Sequence, residues 1–211
     1  MAFRTDAEQG LPQEKLRLLR VLTSKRTQLV EIGKRLLAQI KAHGRLGWAE
    51  MSGAMDAELR GLADHQIAEL EMRVEQTMIL ADDLATTSGI LRSVPGTGPV
   101  ASTMLIAETP GLGQLSAAKA AALVGLVAIA HDNGAMRGKR AVKGERRQLR
   151  HVMFQAALVA SHHNPILKTV ADRLRAAGKP HKVVITAVAS KRVTVANARC
   201  KPRRKSANQA A

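Results

Sequence analysis

Between His131 and His151 the sequence reads HDNGAMRGKRAVKGERRQLRH, gathering Arg137, Lys139, Arg140, Lys143, Arg146, Arg147 and Arg150 behind an Asn133-Gly134 pair. Cations at this density suit a surface that closes on phosphate oxygens, because guanidinium and ammonium groups donate several hydrogen bonds and stay charged at neutral pH. The same stretch also fits a solvated basic loop, and Asn-Gly is by itself a turn signal. A second candidate lies upstream in VPGTGPVAS, residues 94–102. Pro95-Gly96 and Gly98-Pro99 force a tight turn, and Pro99 suits the first position of a helix, where its missing N–H costs nothing. Glycines directly ahead of a helix leave backbone N–H groups at the positive end of its dipole, so Gly96 and Gly98 are candidate phosphate contacts. A GxG followed by the small Ala101 has the spacing of a helix-hairpin-helix contact with the DNA backbone, although any turn between packed helices can use it.

The distribution of charge favours a polyanionic partner. The chain carries 33 Lys and Arg against 17 Asp and Glu. From Met1 to Met136 there are 14 basic and 15 acidic residues, whereas from Arg137 to Lys205 there are 19 and 2. The whole excess therefore lies in the last third, where it predicts one positive surface facing nucleic acid or an anionic membrane. No apolar run approaches the roughly 20 residues of a membrane span, and no charged-then-apolar leader opens the chain. A membrane is accordingly not expected as a partner. Cys200 stands alone, with no second thiol for a disulfide or a CxxC site, which fits a cytoplasmic protein. The seven His residues, including the adjacent His162 and His163, lack a ligand pattern, so no metal site is expected.

These residues need elements to position them. Hydrophobic content is 45%, yet Phe3, Trp48 and Phe154 are the only aromatics, and an Ala-, Leu- and Val-rich chain points to closely packed helices. Leu18, Leu22, Leu29, Ile32, Leu36 and Ile40 recur at helical spacing over residues 13–42. After the glycine-broken HGRLGWAEMSGA, a second helix from about Met55 to Ala85 carries Leu59, Ala63, Ile67, Leu70, Val74 and Met78. Two long helices joined by a short loop should fold back as an antiparallel hairpin. Ser116 is an expected N-cap of a short Ala-rich helix. GERRQLRHVMFQAALVASHHNP reads as a helix with Leu149, Val152, Met153, Ala156 and Val159 buried. Arg146, Arg147 and Arg150 in its first turns oppose the helix dipole, so a phosphate or solvent should neutralise them. PILKTVADRLRAAGKP is a further helix stopped by Gly178. HKVVITAVASKRVTVANARC is β-branched enough for a strand and long enough for a helix.

In order, VPGTGPVASTMLIAETPGLG, ALVGLVAIAHDNGAMRGKR and RRQLRHVMFQAALVASHHNPILKTVADRLRAAGKPHKVVITAVA resemble the C-terminal domain of the insertion-sequence one-ten group of transposases, a group that includes the one-sixteen and nine-oh-two elements. The preceding stretch, from LPQEKLRLLRVLTSKRTQLVE onward, resembles that group's coiled-coil arm. The resemblance covers roughly residues 2–201 and makes the ambiguous last segment a helix. It implies an all-α protein, with a long antiparallel helical hairpin followed by a small helical domain bearing a helix-hairpin-helix-like turn. The implied division is a remnant of an N-terminal nuclease-like domain at 1–12, the hairpin at 13–86, the transposase domain at 87–200 and a basic flexible tail at 201–211.

The resemblance also implies a chemistry. Proteins of this group join a RuvC-like domain with four metal-binding acids to a C-terminal domain that supplies a serine nucleophile, and they exchange DNA strands under guidance of a structured RNA. The resemblance implies that this chain begins at the junction before the arm, so that any divalent metal would belong to the missing domain and the fragment itself needs no cofactor. Where the group has Asp-Ser-Gly, this sequence has Asp132-Asn133-Gly134. An amide cannot attack phosphorus as a hydroxyl does, so the expectation is a DNA-binding transposase fragment of a bacterial mobile element, catalytically inactive, with no intact catalytic residue. Arg137, Lys139, Arg140, Lys143, Arg146, Arg147 and Arg150 remain to grip phosphates, with Gly96 and Gly98. Expected partners are DNA, a structured guide RNA, and further copies or full-length transposase through the hairpin, in the bacterial cytoplasm at the nucleoid. The alternatives are a recombinase that works with another hydroxyl, such as Ser102 or Ser161, or with an intact partner, and a helical oligomerisation module that modulates full-length transposase.

Overall fold

A computed structural model describes residues 13–129, 141–142 and 146–209. The protein is all-α, with eight helices among the described residues and one two-residue antiparallel strand pair. It divides into two compact units, an arm ending at Asp82 and a C-terminal unit beginning at Asp83.

The arm is made of α1 (Gln13–Arg45) and α2 (Ala49–Ile79). Their antiparallel register follows from two cross-links: Lys15 donates to the Leu80 carbonyl near the open end, and Arg26 pairs with Glu71 further along. The seam buries Leu16, Leu19, Leu22 and Leu29 of α1 with Ala63, Val74 and Met78 of α2. The expected stripes are rotated in places, since Leu18, Ile32 and Leu59 are exposed. The helices also extend further than the glycines suggest. The connection is Leu46–Trp48, turned by Gly47 at φ +76°, whereas Gly44, Gly53 and Gly61 lie within helices. A helical Gly costs about 1 kcal/mol against Ala, which two long packed helices can absorb. The second helix also stops at Ile79 instead of running to Ala85, and α3 (Asp82–Arg92) begins a separate element.

The C-terminal unit continues with α4 (Pro99–Glu108), α5 (Ala117–Leu123), α6 (Arg147–His163), α7 (Pro165–Ala176) and α8 (His181–Gln209). Between α5 and α6, β1 (Ala128–Ile129) pairs with β2 (Ala141–Val142). Residues 101–107 of α4 are all buried, Ser102 and Thr103 among them, so this helix is enclosed on every side. Asn164 caps α7 by accepting from the Leu167 amide, and Ser116 caps α5 by accepting from Lys119. The central element is α8, which packs on α5, α6 and α7. Val184, Ile185, Val188, Ala189, Val193, Ala196 and Cys200 form its buried stripe, so helical spacing of apolar residues overrides their β-branched preference. Two polar residues, Arg192 and Asn197, occupy the same stripe. Residues 201–209 continue this helix. No helix among the described residues is long and apolar enough to cross a membrane.

Candidate nucleic-acid interface

The VPGTGPVAS turn links α3 to α4. Gly96 adopts φ +81°, a conformation that side chains disfavour, and the Thr97 amide closes the turn on the Val94 carbonyl at 2.9 Å. Gly98 is the N-cap of α4 and Pro99 its first residue. Gly98 has no side chain, so the N-cap residue supplies no side-chain acceptor to the first turn of α4. Gly96 and Gly98 are both exposed, so the positive end of the α4 dipole opens to solvent at this turn.

Arg192 of α8 lies against the turn from the protein side. Its Nη2 donates to the Thr97 hydroxyl at 2.9 Å, and a Cβ added to Gly96 would come within 3.3 Å of the same nitrogen. Arg192 is 1% exposed, and neither Nε nor Nη1 has a hydrogen-bond partner among the described residues. Burial lowers the pKa of the guanidinium from its ordinary value. Arg199, two turns further along α8 and exposed, reaches the Ser93 hydroxyl at 3.4 Å. Sequence reading missed both residues. The available signal was a lone Arg inside an apolar stripe, four residues from Val188 and four from Ala196.

The second candidate cluster is described only in part. Asn133, Arg137, Lys139, Arg140 and Lys143 lie outside the described residues. The β1–β2 pairing sets Ala128 opposite Val142 and Ile129 opposite Ala141. Arg146 is the N-cap position of α6, but its Nη1 donates to the Leu123 carbonyl at 2.9 Å. Arg150 donates to the Gly125 carbonyl at 3.5 Å. These carbonyls lie at and just beyond the C-terminus of α5, the negative end of that helix. Two cations placed against the α6 dipole are thus partly compensated by α5, a source of neutralisation that the spacing of the Arg residues does not reveal. Arg147, between them, is exposed.

The two hydroxyls weighed as substitute nucleophiles are both buried. Ser102 donates to the Pro99 carbonyl and Ser161 to the Leu158 carbonyl, each at 2.8 Å.

Residues 88–172 match the transposase family IS116/IS110/IS902. This segment is a transposase domain of that family. It contains the glycine turn, α4, α5, α6 and the Asp132-Asn133-Gly134 stretch, while α8 lies beyond the match. The chain is 30% identical over 148 residues to the 43.6 kDa protein of insertion element IS110 from Streptomyces coelicolor, covering 68% of this chain and 36% of that protein. It is 34% identical over 110 residues to the 42 kDa protein of insertion element IS900 from Mycobacterium paratuberculosis, covering 50% of this chain and 27% of that protein. The chain thus spans 36% and 27% of the length of these two insertion-element proteins.

Proposed function

We propose that this chain is the nucleic-acid-binding part of an insertion-sequence transposase, gripping DNA through its C-terminal unit without a serine nucleophile of its own. The observation that carries this reading is the charge of the unit that contains the transposase domain. From Asp83 onward there are 21 Lys and Arg against 5 Asp and Glu, so the carboxylates of this unit can pair with only a minority of its cations. Cations left over in this way are available to phosphates, with Arg147, Lys182 and Lys191 exposed and Arg137, Lys139, Arg140 and Lys143 contributed by the sequence. Three aromatic residues leave little base stacking, so binding is electrostatic and tolerant of sequence, with DNA or a structured RNA as the polyanion.

Catalytic silence rests on Asn133, whose amide is not a nucleophile, and on Ser102 and Ser161, whose buried hydroxyls are committed to backbone carbonyls. The test is incubation of the chain with element-end DNA and guide RNA, followed by a search for a covalent protein–DNA adduct. No adduct is expected with the natural chain or with Ser102→Ala. An adduct that survives denaturation would overturn the reading of inactivity, and its recovery only in Asn133→Ser would locate the lost nucleophile.

A second reading, oligomerisation through the arm, is favoured by a separate observation. Met51, Met55, Leu59 and Leu62 follow one another at spacings of three and four along α2 and are all exposed, near Leu46 and Trp48 at the hairpin tip. Such a ridge suits a second copy of the arm or that of a full-length transposase. Light scattering that finds a monomer at all accessible concentrations removes self-association.

A further inference from the structure

We infer that the turn between α7 and α8, with Arg173, Lys179 and Lys182 around it, is a separate contact for the phosphodiester backbone of a nucleic-acid duplex. The inference deepens the nucleic-acid reading and rests on it, and it names a surface distinct from the glycine turn and from the 131–151 stretch. Its starting point is a change in composition. The residues that match the transposase family end at 172, and from Arg173 to the end of the chain there are 11 Lys and Arg with no Asp or Glu. Arg173, Lys179 and Lys182 are all exposed. The carboxylate next to them in sequence, Asp172, is paired with Arg175 at 2.7 Å. Among the described residues none of the three cations at the turn makes an ion pair.

Local structure leaves these cations without a task. Basic side chains near the end of a helix often serve its last carbonyls. Here backbone does that work: the carbonyls of Arg173, Leu174 and Arg175 accept from the amides of Ala177, Lys179 and Gly178 at 3.1, 3.1 and 2.9 Å. Lys182 lies in the first turn of α8, where a cation opposes the dipole and no acidic residue offsets it. Like charges gathered on one turn also repel each other, so the arrangement costs stability that an external polyanion recovers. The turn is shaped for such a partner. Gly178 closes it at φ +69°, and nothing lies within 4 Å of where its Cβ would stand, so the surface is open. Because backbone bonds fix the turn beforehand, little ordering is left to be done on binding. Between the cations the exposed residues include Ala176, Ala177, Gly178 and Pro180, with no aromatic or long apolar side chain of the kind that enters a lipid headgroup layer. Charge without an apolar anchor suits a phosphate backbone better than a membrane.

The experiment measures anisotropy of labelled DNA and RNA duplexes with the full chain across a salt series. The triple variant Arg173→Gln, Lys179→Gln, Lys182→Gln should lower the slope of log affinity against log salt by about 2 to 3 and weaken binding at about 0.1 M salt by roughly tenfold or more. Arg17→Gln, Lys25→Gln and Lys41→Gln together remove the same charge from exposed positions of the arm and should leave the slope unchanged. Should the first triple melt early, Lys179→Gln with Lys182→Gln spares the last turn of α7, and a slope lower by about 1 to 2 is expected. A loss confined to one duplex supports the contact and identifies its source as DNA or RNA; a loss with both supports a contact to either. Equal slopes in the two triple variants, with the natural chain binding steeply, overturn the contact and leave the nucleic-acid reading standing. A flat isotherm of the natural chain with both duplexes sinks that reading, and this contact with it. Co-sedimentation with phosphatidylserine vesicles that the first triple abolishes, while its duplex slopes match those of the natural chain, assigns the turn to a lipid surface and overturns the inference.

Discussion

The arm and the C-terminal unit use the same charged residues in opposite ways. Residues 11–82 hold 11 Lys and Arg against 10 Asp and Glu, and surface ion pairs tie them together, among them Arg26–Glu71, Lys34–Glu31, Arg60–Asp64 and Arg73–Glu69. The C-terminal unit has a large cationic surplus. Its inward-facing polar groups cross between elements: Arg192 to Thr97, Asn197 to Gly113 and Leu115, Arg146 to Leu123. A self-neutralising surface supports a scaffold or a protein partner. A cationic surplus on a core held by buried polar contacts is what the proposed polyanion binding would use.

The sharpest way to break this contrast is salt. If the cations of the C-terminal unit bind phosphates, raising monovalent salt from about 50 to 200 mM should weaken duplex-DNA binding by on the order of a thousandfold, as six or more contacts release their counterions. Fluorescence anisotropy with a labelled duplex gives the slope of log affinity against log salt. Arg60→Gln and Arg73→Gln in the arm should leave that slope unchanged. A flat isotherm would make the surplus an ordinary solvated surface and remove the difference between the two units.

The next effect is on stability, and only one unit should feel it. Gly113 sits at φ +87°, and a Cβ there would fall 2.8 Å from the Cys200 carbonyl oxygen on α8, a backbone atom that cannot swing aside. Gly113→Ala should therefore cost about 3 kcal/mol through strain and overlap together. Gly98→Ala, with negative φ and nothing within 4 Å, should be nearly neutral in melting experiments. Equal melting of the two variants would show that the 109–116 loop is not clamped to α8. Asn197→Ala should cost somewhat less, about 2 kcal/mol. It deletes the acceptor of the Gly113 amide and the donor to the Leu115 carbonyl, both at 2.8 Å, and strands one buried group. A cost below about 0.5 kcal/mol by urea titration would mean that water replaces the side chain without loss.

Much of this organisation is legible in the sequence, for identifiable reasons. Helix existence is carried by apolar periodicity and by Pro99, Ser116 and Asn164 at helix starts, all local signals. The boundary between α2 and α3 was missed because Leu80-Ala81 contains neither Gly nor Pro, although Asp82-Asp83 is a serviceable start signal. The α1–α2 loop was overestimated for the opposite reason: Gly44 and Gly53 face open space within helices and break nothing. For the interface, the glycine turn announced itself through its backbone requirements. Arg192 did not, because its partners are 95 residues away and its burial is a property of the packed fold. Arg146 and Arg150 were legible as cations, but their use against the end of α5 depends on a tertiary neighbour.

The smallest expected effect completes the contrast from the side of the arm. Arg26 bonds the Oε1 of Glu71 through both Nε, at 2.8 Å, and Nη2, at 2.7 Å. The Arg26 side chain is 22% exposed and that of Glu71 47%, so water and salt screen the pair. A double-mutant cycle of Arg26→Gln and Glu71→Gln should give a coupling of about 0.5–1 kcal/mol at low salt, shrinking as salt is raised. DNA affinity should not change, because removing one cation from a matched surface exposes no phosphate contact. A coupling above about 3 kcal/mol that ignores salt would behave as a buried pair does. The arm would then be held by polar contacts of the kind assigned here to the C-terminal unit, and the distinction between a neutralised scaffold and a cationic grip would have to be drawn on charge excess alone.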